Sequence, residues 1–243
     1  MRIDKTFFKV MLLVGLSIFG QKLGIANEHH QGHHSGQEQK EAVKNRGVLG
    51  LDVVSSGENI DLLLAEEEGS EIRLIHMRTK DGGESFEKNR IEFKGISVFT
   101  PRRGFEPRIV SKGDVIVALW TKPGTSSWGD GPLQGARSKD GGKTWKEIKS
   151  PADDYTTNGH GFVGLTLDKD KVIHAIWLDS RDGSQGLRYS KSSDFGKTWK
   201  KNKTIQAKTC ECCWSALYQL PDGSMNALYR GKDPRDMRLS SSS

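Results

Sequence analysis

Three cysteines are the residues of this chain whose types and spacing most directly suggest chemistry. Cys210, Cys212 and Cys213 share one short run, Thr209-Cys210-Glu211-Cys212-Cys213. Three thiols cannot all pair among themselves, so the run is no disulfide framework. In an oxidising compartment it offers one bridge and one leftover thiol, and alternatively sulfur ligands for a soft metal. His160, which precedes Gly161 at a predicted strand start, can complete a Cys/His set if it lies nearby. The adjacency of Cys212 and Cys213 is poor for holding one ion tetrahedrally, and no metal is expected. A second group, His29, His30, His33 and His34, sits in a polar segment with no periodic apolar face. Such a segment can bind a transition metal, but it forms no defined site and reads as a solvated, disordered lead-in.

These residues need a scaffold, and its signature is a repeat. Thr79-Lys80-Asp81-Gly82-Gly83-Glu84-Ser85-Phe86, Ser138-Lys139-Asp140-Gly141-Gly142-Lys143-Thr144-Trp145 and Ser192-Ser193-Asp194-Phe195-Gly196-Lys197-Thr198-Trp199 follow one pattern, with the aspartates 59 and 54 residues apart. Each copy makes sense as a tight turn between two strands. The Asp and Ser/Thr side chains bond turn amides, and Gly83, Gly142 and Gly196 supply a positive φ. Phe86, Trp145 and Trp199 then bury a large apolar area between neighbouring sheets.

A longer pattern lies around the turns. One unit runs from Glu106 through Val110, turns, continues as Val115–Trp120, and returns through Leu133–Lys139 into its Asp turn. The next repeats this with Gly161–Leu167, Val172–Trp177 and Leu187–Ser190, and a further unit begins at Trp214–Tyr218 and Met225–Tyr229. These short β-branched and aromatic runs predict four antiparallel strands per unit, the size of a propeller blade. By alignment the chain stops one residue before the Asp of a fourth turn, so the expectation is a truncated sequence with about four blades. Strand order also sorts the loops. The Asp turns share one end of the units. The opposite end carries the long segments Thr100–Glu106, Lys122–Gly131, Asp153–His160, Leu178–Asp182, Thr209–Cys213 and Tyr229–Asp236, which should ring one mouth.

The turn pattern resembles the Asp-box, or BNR repeat, of the sialidase-type β-propellers, and the resemblance covers the chain from about Gly47 to its end. It implies an all-β propeller of four-stranded antiparallel blades, six in the complete protein. Within the superfamily it points to exo-sialidases, which clamp a substrate carboxylate with three arginines and use a Tyr nucleophile with an Asp acid/base. Planar Arg forks suit a carboxylate, and a neutral Tyr avoids driving an anion towards an anionic sugar. On that resemblance Arg181, Arg230 and Arg235 are the clamp candidates and Arg108 a spare. Asp179 or Asp182 is the acid/base candidate and Tyr229 the nucleophile candidate, while His160 and Asp236 are rim residues for substrate binding. The bland alternatives are that Tyr229 packs, that Asp179 and Arg181 pair across their own exposed loop, and that Arg188 and Arg238 are structural. The sialidase Phe/Tyr-Arg-Ile-Pro motif has no counterpart here, since Glu106-Pro107-Arg108-Ile109-Val110 follows the first turn and differs in order. The cysteine run with the Tyr229-Arg230 and Arg235-Asp236 pairs resembles sialidase-like exported bacterial proteins.

The ends bound location and partners. Arg2, Lys5 and Lys9 precede an apolar run from Val10 to Phe19 and a small-residue cleavage site at Gly24–Ala26, which predicts a signal peptide over 1–26. The run is too short to span a bilayer, and no Cys lies near the cut, so a periplasmic or secreted protein without a lipid anchor is expected. The lead-in covers 27–45 and the repeat region 46–243. Of the formal charge of +6, the signal segment (Arg2, Lys5, Lys9 and Lys22 against Asp4) carries +3. The remaining +3, without an aromatic-interleaved basic stripe, does not suggest nucleic acid. No cofactor is expected. The expected partner is a glycan or other acidic small ligand, whether it is hydrolysed or only bound. A protein partner suits a non-catalytic module, and a metal- or redox-linked periplasmic factor is the third reading.

Overall fold

The computed structural model describes residues 47–154 and 156–242. The expected signal peptide and the His-rich lead-in lie outside the described residues. Four antiparallel sheets follow one another along the chain. The first contains β1 (Val48–Ser56), β2 (Asn59–Glu68), β3 (Glu71–Thr79) and β4 (Glu87–Arg90), and the second β5 (Arg108–Lys112), β6 (Val115–Pro123), β7 (Asp130–Ser138) and β8 (Lys146–Ile148). The third contains β9 (His160–Leu167), β10 (Ile173–Asp179), β11 (Gly186–Ser192) and β12 (Lys203–Gln206). The fourth has three strands, β13 (Ala216–Gln219), β14 (Met225–Arg230) and β15 (Met237–Ser241). Within each sheet, strands pair in chain order.

The second strand of each of the first three sheets is nearly continuous in apolar residues, as in Leu62-Leu63-Leu64-Ala65 and Ile173-His174-Ala175-Ile176-Trp177-Leu178. Both of its faces are covered, so the period-two alternation of a half-exposed strand is lost. Every residue of β10 is buried. The last strands β4, β8 and β12 are short, charged and largely exposed, which discourages edge-to-edge pairing.

The sheets pack face to face through mixed cores. Leu63, Leu74 and Ile91 of the first meet Ile109, Ile116 and Trp120 of the second. Leu119 and Leu133 of the second meet Val163 and Trp177 of the third, while Ile176 and Leu187 of the third meet Ala227 and Tyr229 of the fourth. The first strands lie beside one another, β1 by β5, β5 by β9 and β9 by β13.

The three Asp turns have one geometry. In the middle copy the Ser138 hydroxyl donates to Asp140 at 2.7 Å and accepts from the Gly142 amide at 2.8 Å, while the Thr144 amide donates to Asp140 at 2.9 Å. Asp81 and Asp194 repeat this with Thr79, Gly83 and Ser85, and with Ser192, Gly196 and Thr198. Gly83, Gly142 and Gly196 have φ of 100°, 93° and 80°. At Gly142 a Cβ would strike the ring of His76 in the preceding sheet, so this glycine is required by both backbone and packing. Hydrogen bonds from the Thr144 hydroxyl and amide, with one from Ser138, hold Asp140 down at about 2. Trp145 buries its ring among the first and second sheets, edge-on to His76 at 5.6 Å, and Trp199 packs between the second and third. Phe86 packs on Ile60, Leu62 and Ile75.

Candidate functional site

A cavity of about 990 Å³ opens at the end opposite the Asp turns. All six segments that strand order assigned to this end contribute to its lining. Arg102, Arg103 and Phe105 come from the β4–β5 connection, Thr125, Trp128 and Asp130 from the β6–β7 region, and Asn158 and Gly159 from the β8–β9 connection. Ser180 comes from β10–β11, Cys210 and Cys212 from β12–β13, and Lys232, Asp233 and Arg235 from β14–β15.

Two adjacent arginines dominate the electrostatics of one wall. Arg102 lies 4.9 Å over the Phe99 ring and 5.6 Å over both Phe105 and Trp128, and donates to the Trp128 carbonyl at 2.6 Å. Arg103 lies 4.9 Å over Trp214 and donates to the Cys212 carbonyl at 3.0 Å. Among the described residues neither forms an ion pair, so aromatic faces and backbone carbonyls orient them while their charge stays uncompensated. Trp128 is 72% exposed and so available to a ligand. Lys232, also in the lining, pairs with Glu211 at 2.6 Å. Strand order places Thr100–Glu106 at the mouth without distinguishing either arginine. The available signal was an Arg pair set among Phe99 and Phe105.

The cysteine run forms a second feature at the rim. Burial raises the Cys210 thiol, but hydrogen bonds from Cys213, the Cys212 amide and Arg235 outweigh it and bring it down to about 6. Cys213 is raised by the bond it gives Cys210 and by burial.

The residues singled out from the sequence fall in different places. Asp179 and Arg181 do pair, and the pair is not on an exposed loop: the Asp179 side chain is 1% exposed. It accepts from Arg181 Nη2 at 2.7 Å, Arg188 Nε at 2.9 Å and Trp177 Nε1 at 2.8 Å. Arg181 also donates through Nη1 to Asp153 at 2.8 Å and through Nη2 to Asn202 at 3.1 Å. Burial raises Asp179, and the bonds from Arg181, Arg188 and Trp177 outweigh it and lower its pKa. Asp182 pairs with Arg188 at 3.0 Å. The fork of Arg181 is therefore engaged by its own loops and lies off the cavity. His160 is fully buried, with Nδ1 on the Asn158 carbonyl at 2.8 Å and Nε2 on Asp154 at 3.0 Å. Its neighbours Gly159 and Gly161 reach the cavity, while its ring sits against Asp154 and, at 3.8 Å, Asp179, in a group separate from the cysteines.

Tyr229 is buried in the core between the third and fourth sheets, with its hydroxyl 3.3 Å from Ser240 Oγ. Strand alternation sends its side chain inward and Arg230 outward. Arg230 donates to the Arg235 carbonyl at 3.1 Å and lies 3.7 Å from Cys213 Sγ. Arg235 lines the cavity, 3.1 Å from Cys210 Sγ. Arg108 ties sheets together by donating to the Val163 carbonyl at 3.0 Å and facing Asp52 at 3.6 Å. Asp236 is exposed and pairs with Arg238 at 3.0 Å. Of the proposed clamp, then, Arg230 and Arg235 come together beside the cysteines and Arg181 does not join them.

No protein-family model matches the chain. A curated protein named Sialidase from Bacteroides fragilis is 28% identical, the match covering 76% of this chain and 40% of that protein. The chain thus spans less than half the length of the curated relative it matches. Among solved structures, a protein of unknown function from Dyadobacter fermentans aligns with a TM-score of 0.59 at 17% identity, covering 82% of this chain and 66% of the other. The α-L-arabinofuranosidase Arb93A of Fusarium graminearum, solved with an iminosugar inhibitor, aligns at 0.57 with 13% identity, covering 82% and 63%. The α-L-arabinanase of Penicillium chrysogenum, complexed with arabinobiose, aligns at 0.55 with 14% identity, covering 82% and 64%. At such identities the likeness is one of fold. Among the described residues no helix is long and apolar enough to cross a membrane. This is an all-β chain of antiparallel sheets built like those of the propeller glycosidases, and similar in sequence to a protein named sialidase.

Proposed function

We propose that the chain belongs to an exported, sialidase-like propeller of BNR/Asp-box blades, six in the complete ring, that binds an acidic glycan at its mouth in the periplasm or outside the cell. The observation that carries this reading is the Arg102–Arg103 wall, two cations free of carboxylate partners among the described residues and held on aromatic faces at a cavity of about 990 Å³. Uncompensated guanidinium groups bind carboxylates well, and the exposed Trp128 offers an apolar face against which a sugar ring packs.

Hydrolysis of the bound glycan, by an exo-α-sialidase type of reaction, is the second reading, favoured by the similarity to a protein named sialidase. Arg181 and Tyr229 are engaged away from the cavity, so that reaction would draw on other residues. The test is calorimetric titration of the full mature protein with sialyllactose and with lactose, beside a fluorogenic sialoside assay. Binding of the acidic sugar alone, weakened about tenfold or more by Arg103→Ala, is the expected result. Equal affinity for lactose, or no effect of Arg102→Ala and Arg103→Ala, would reject the wall as the recognition element. Turnover of the sialoside would establish the enzyme.

A further inference from the structure

We propose that Cys210, Cys212 and Cys213 form a three-thiolate site for a monovalent copper ion at the rim of the cavity. This rests on the sulfur cluster and is independent of the glycan reading.

The backbone gathers the sulfurs. The Cys210 amide donates to the Arg230 carbonyl at 3.0 Å, and Thr209 bridges Gly231, so the start of the run is fixed on the end of β14. A turn at Glu211–Cys212 then folds the run back, held by the bond from Arg103 to the Cys212 carbonyl. Cys210 Sγ lies 3.6 Å from Cys212 Sγ and 2.9 Å from Cys213 Sγ, and all three sulfurs fall within 4.8 Å of one another. Metal–thiolate bonds of about 2.3 Å place the sulfurs of a trigonal site about 4 Å apart, so small side-chain adjustments suffice. Although Cys212 and Cys213 are adjacent in sequence, both sulfurs already lie within reach of Cys210 Sγ and of each other.

Two observations select the ion. Among the described residues the cluster contains only the three thiols, without a histidine or carboxylate to complete the four-ligand set of a structural zinc site. An all-sulfur, low-coordination set suits the soft monovalent copper ion. The surrounding charge agrees. Three thiolates and one such ion carry a net charge of −2, and two guanidinium groups face the sulfurs. Arg235 Nη2 lies 3.1 Å from Cys210 and 3.9 Å from Cys212, and Arg230 Nη1 lies 3.7 Å from Cys213. Cys210 is buried and Cys212 exposed, so the ion can enter from solvent and be held on an inner ligand.

The experiment loads the reduced, full mature chain anaerobically with monovalent copper against a chromophoric copper(I) chelator, then records X-ray absorption. The expected result is one copper per chain with three sulfur neighbours at about 2.3 Å. Cys212→Ser, an exposed position, should abolish retention against the chelator. Arg235→Ala should weaken it about 10- to 100-fold, as loss of an outer partner does. Copper held by nitrogen or oxygen neighbours and unaffected by Cys212→Ser would overturn the proposal and move the metal elsewhere. So would tighter retention of zinc, or failure of the reduced wild-type chain to hold copper, the outcome expected if Cys210 and Cys213 serve instead as a disulfide pair.

Discussion

Arg181→Ala should destabilise the fold and leave ligand recognition at the mouth intact. The Arg181 guanidinium reaches Asp179 through Nε and Nη2, Asp153 through Nη1 and Asn202 through Nη2. Asp179 is the partner that matters, because its side chain is almost wholly buried. Removing one partner of a buried ion pair costs about 3–5 kcal/mol, since the remaining charge is stranded. Here Asp179 keeps Arg188 Nε at 2.9 Å and Trp177 Nε1 at 2.8 Å, which lowers the expected loss to about 2–4 kcal/mol. Asp153 is partly exposed and rehydrates, adding no more than about 1 kcal/mol. Urea unfolding followed by tryptophan fluorescence should show a lower midpoint at unchanged slope, and Arg181→Lys should fall between, keeping the charge but not the fork. Sialyllactose affinity, measured where the variant is fully folded, should match wild type. An unchanged midpoint with lost sialyllactose binding would refute this reasoning and return Arg181 to a carboxylate clamp.

Two further perturbations probe the scaffold. Gly142→Ala combines a φ of 93° with a clash against the His76 ring, which is itself held on Asp61 at 2.7 Å. Left-handed strain of about 1–2 kcal/mol and overpacking of about 1–3 kcal/mol give a loss of about 2–5 kcal/mol. Gly113→Ala, at φ 57° with open space around it, should lose only the strain, and equal losses for the two would show that the clash is relieved. Acid is the other probe. Asp140 is held at about 2 against an ordinary 3.8, so its contribution is complete above about pH 4 and is lost as pH falls towards 2. Asp81 and Asp194 are lowered by equivalent bonds and act in the same direction. Asp140→Asn should therefore flatten the acid limb of a stability-versus-pH curve, and a variant whose curve stays parallel to wild type would exclude Asp140 as a contributor.

The strands and the two ends of the sheets were legible in the sequence because the features that set them are local. Each Asp turn closes its bonds within a few residues, as from Ser138 to Thr144, and each central strand announces its burial by a continuous apolar run. Alternation along such strands then assigns the loops to one end or the other. In the first sheet the turn at Asp81 follows the repeat pattern, whereas β1 carries no comparable local signal.

The partners of the charged side chains were not legible. Arg181 finds Asp153 28 residues away, and Arg103 reaches Cys212 across 109. Long flexible side chains choose among whatever the packed sheets bring within reach, so residue type and sequence position do not distinguish an arginine spent on a buried carboxylate from one left facing a cavity. Sequence alone determined that this chain forms successive antiparallel sheets, three of them four-stranded, with their chemically rich loops at one end. Only tertiary structure decided that Arg102 and Arg103 stay uncompensated at that end while Arg181 does not, and that three cysteines on one loop converge.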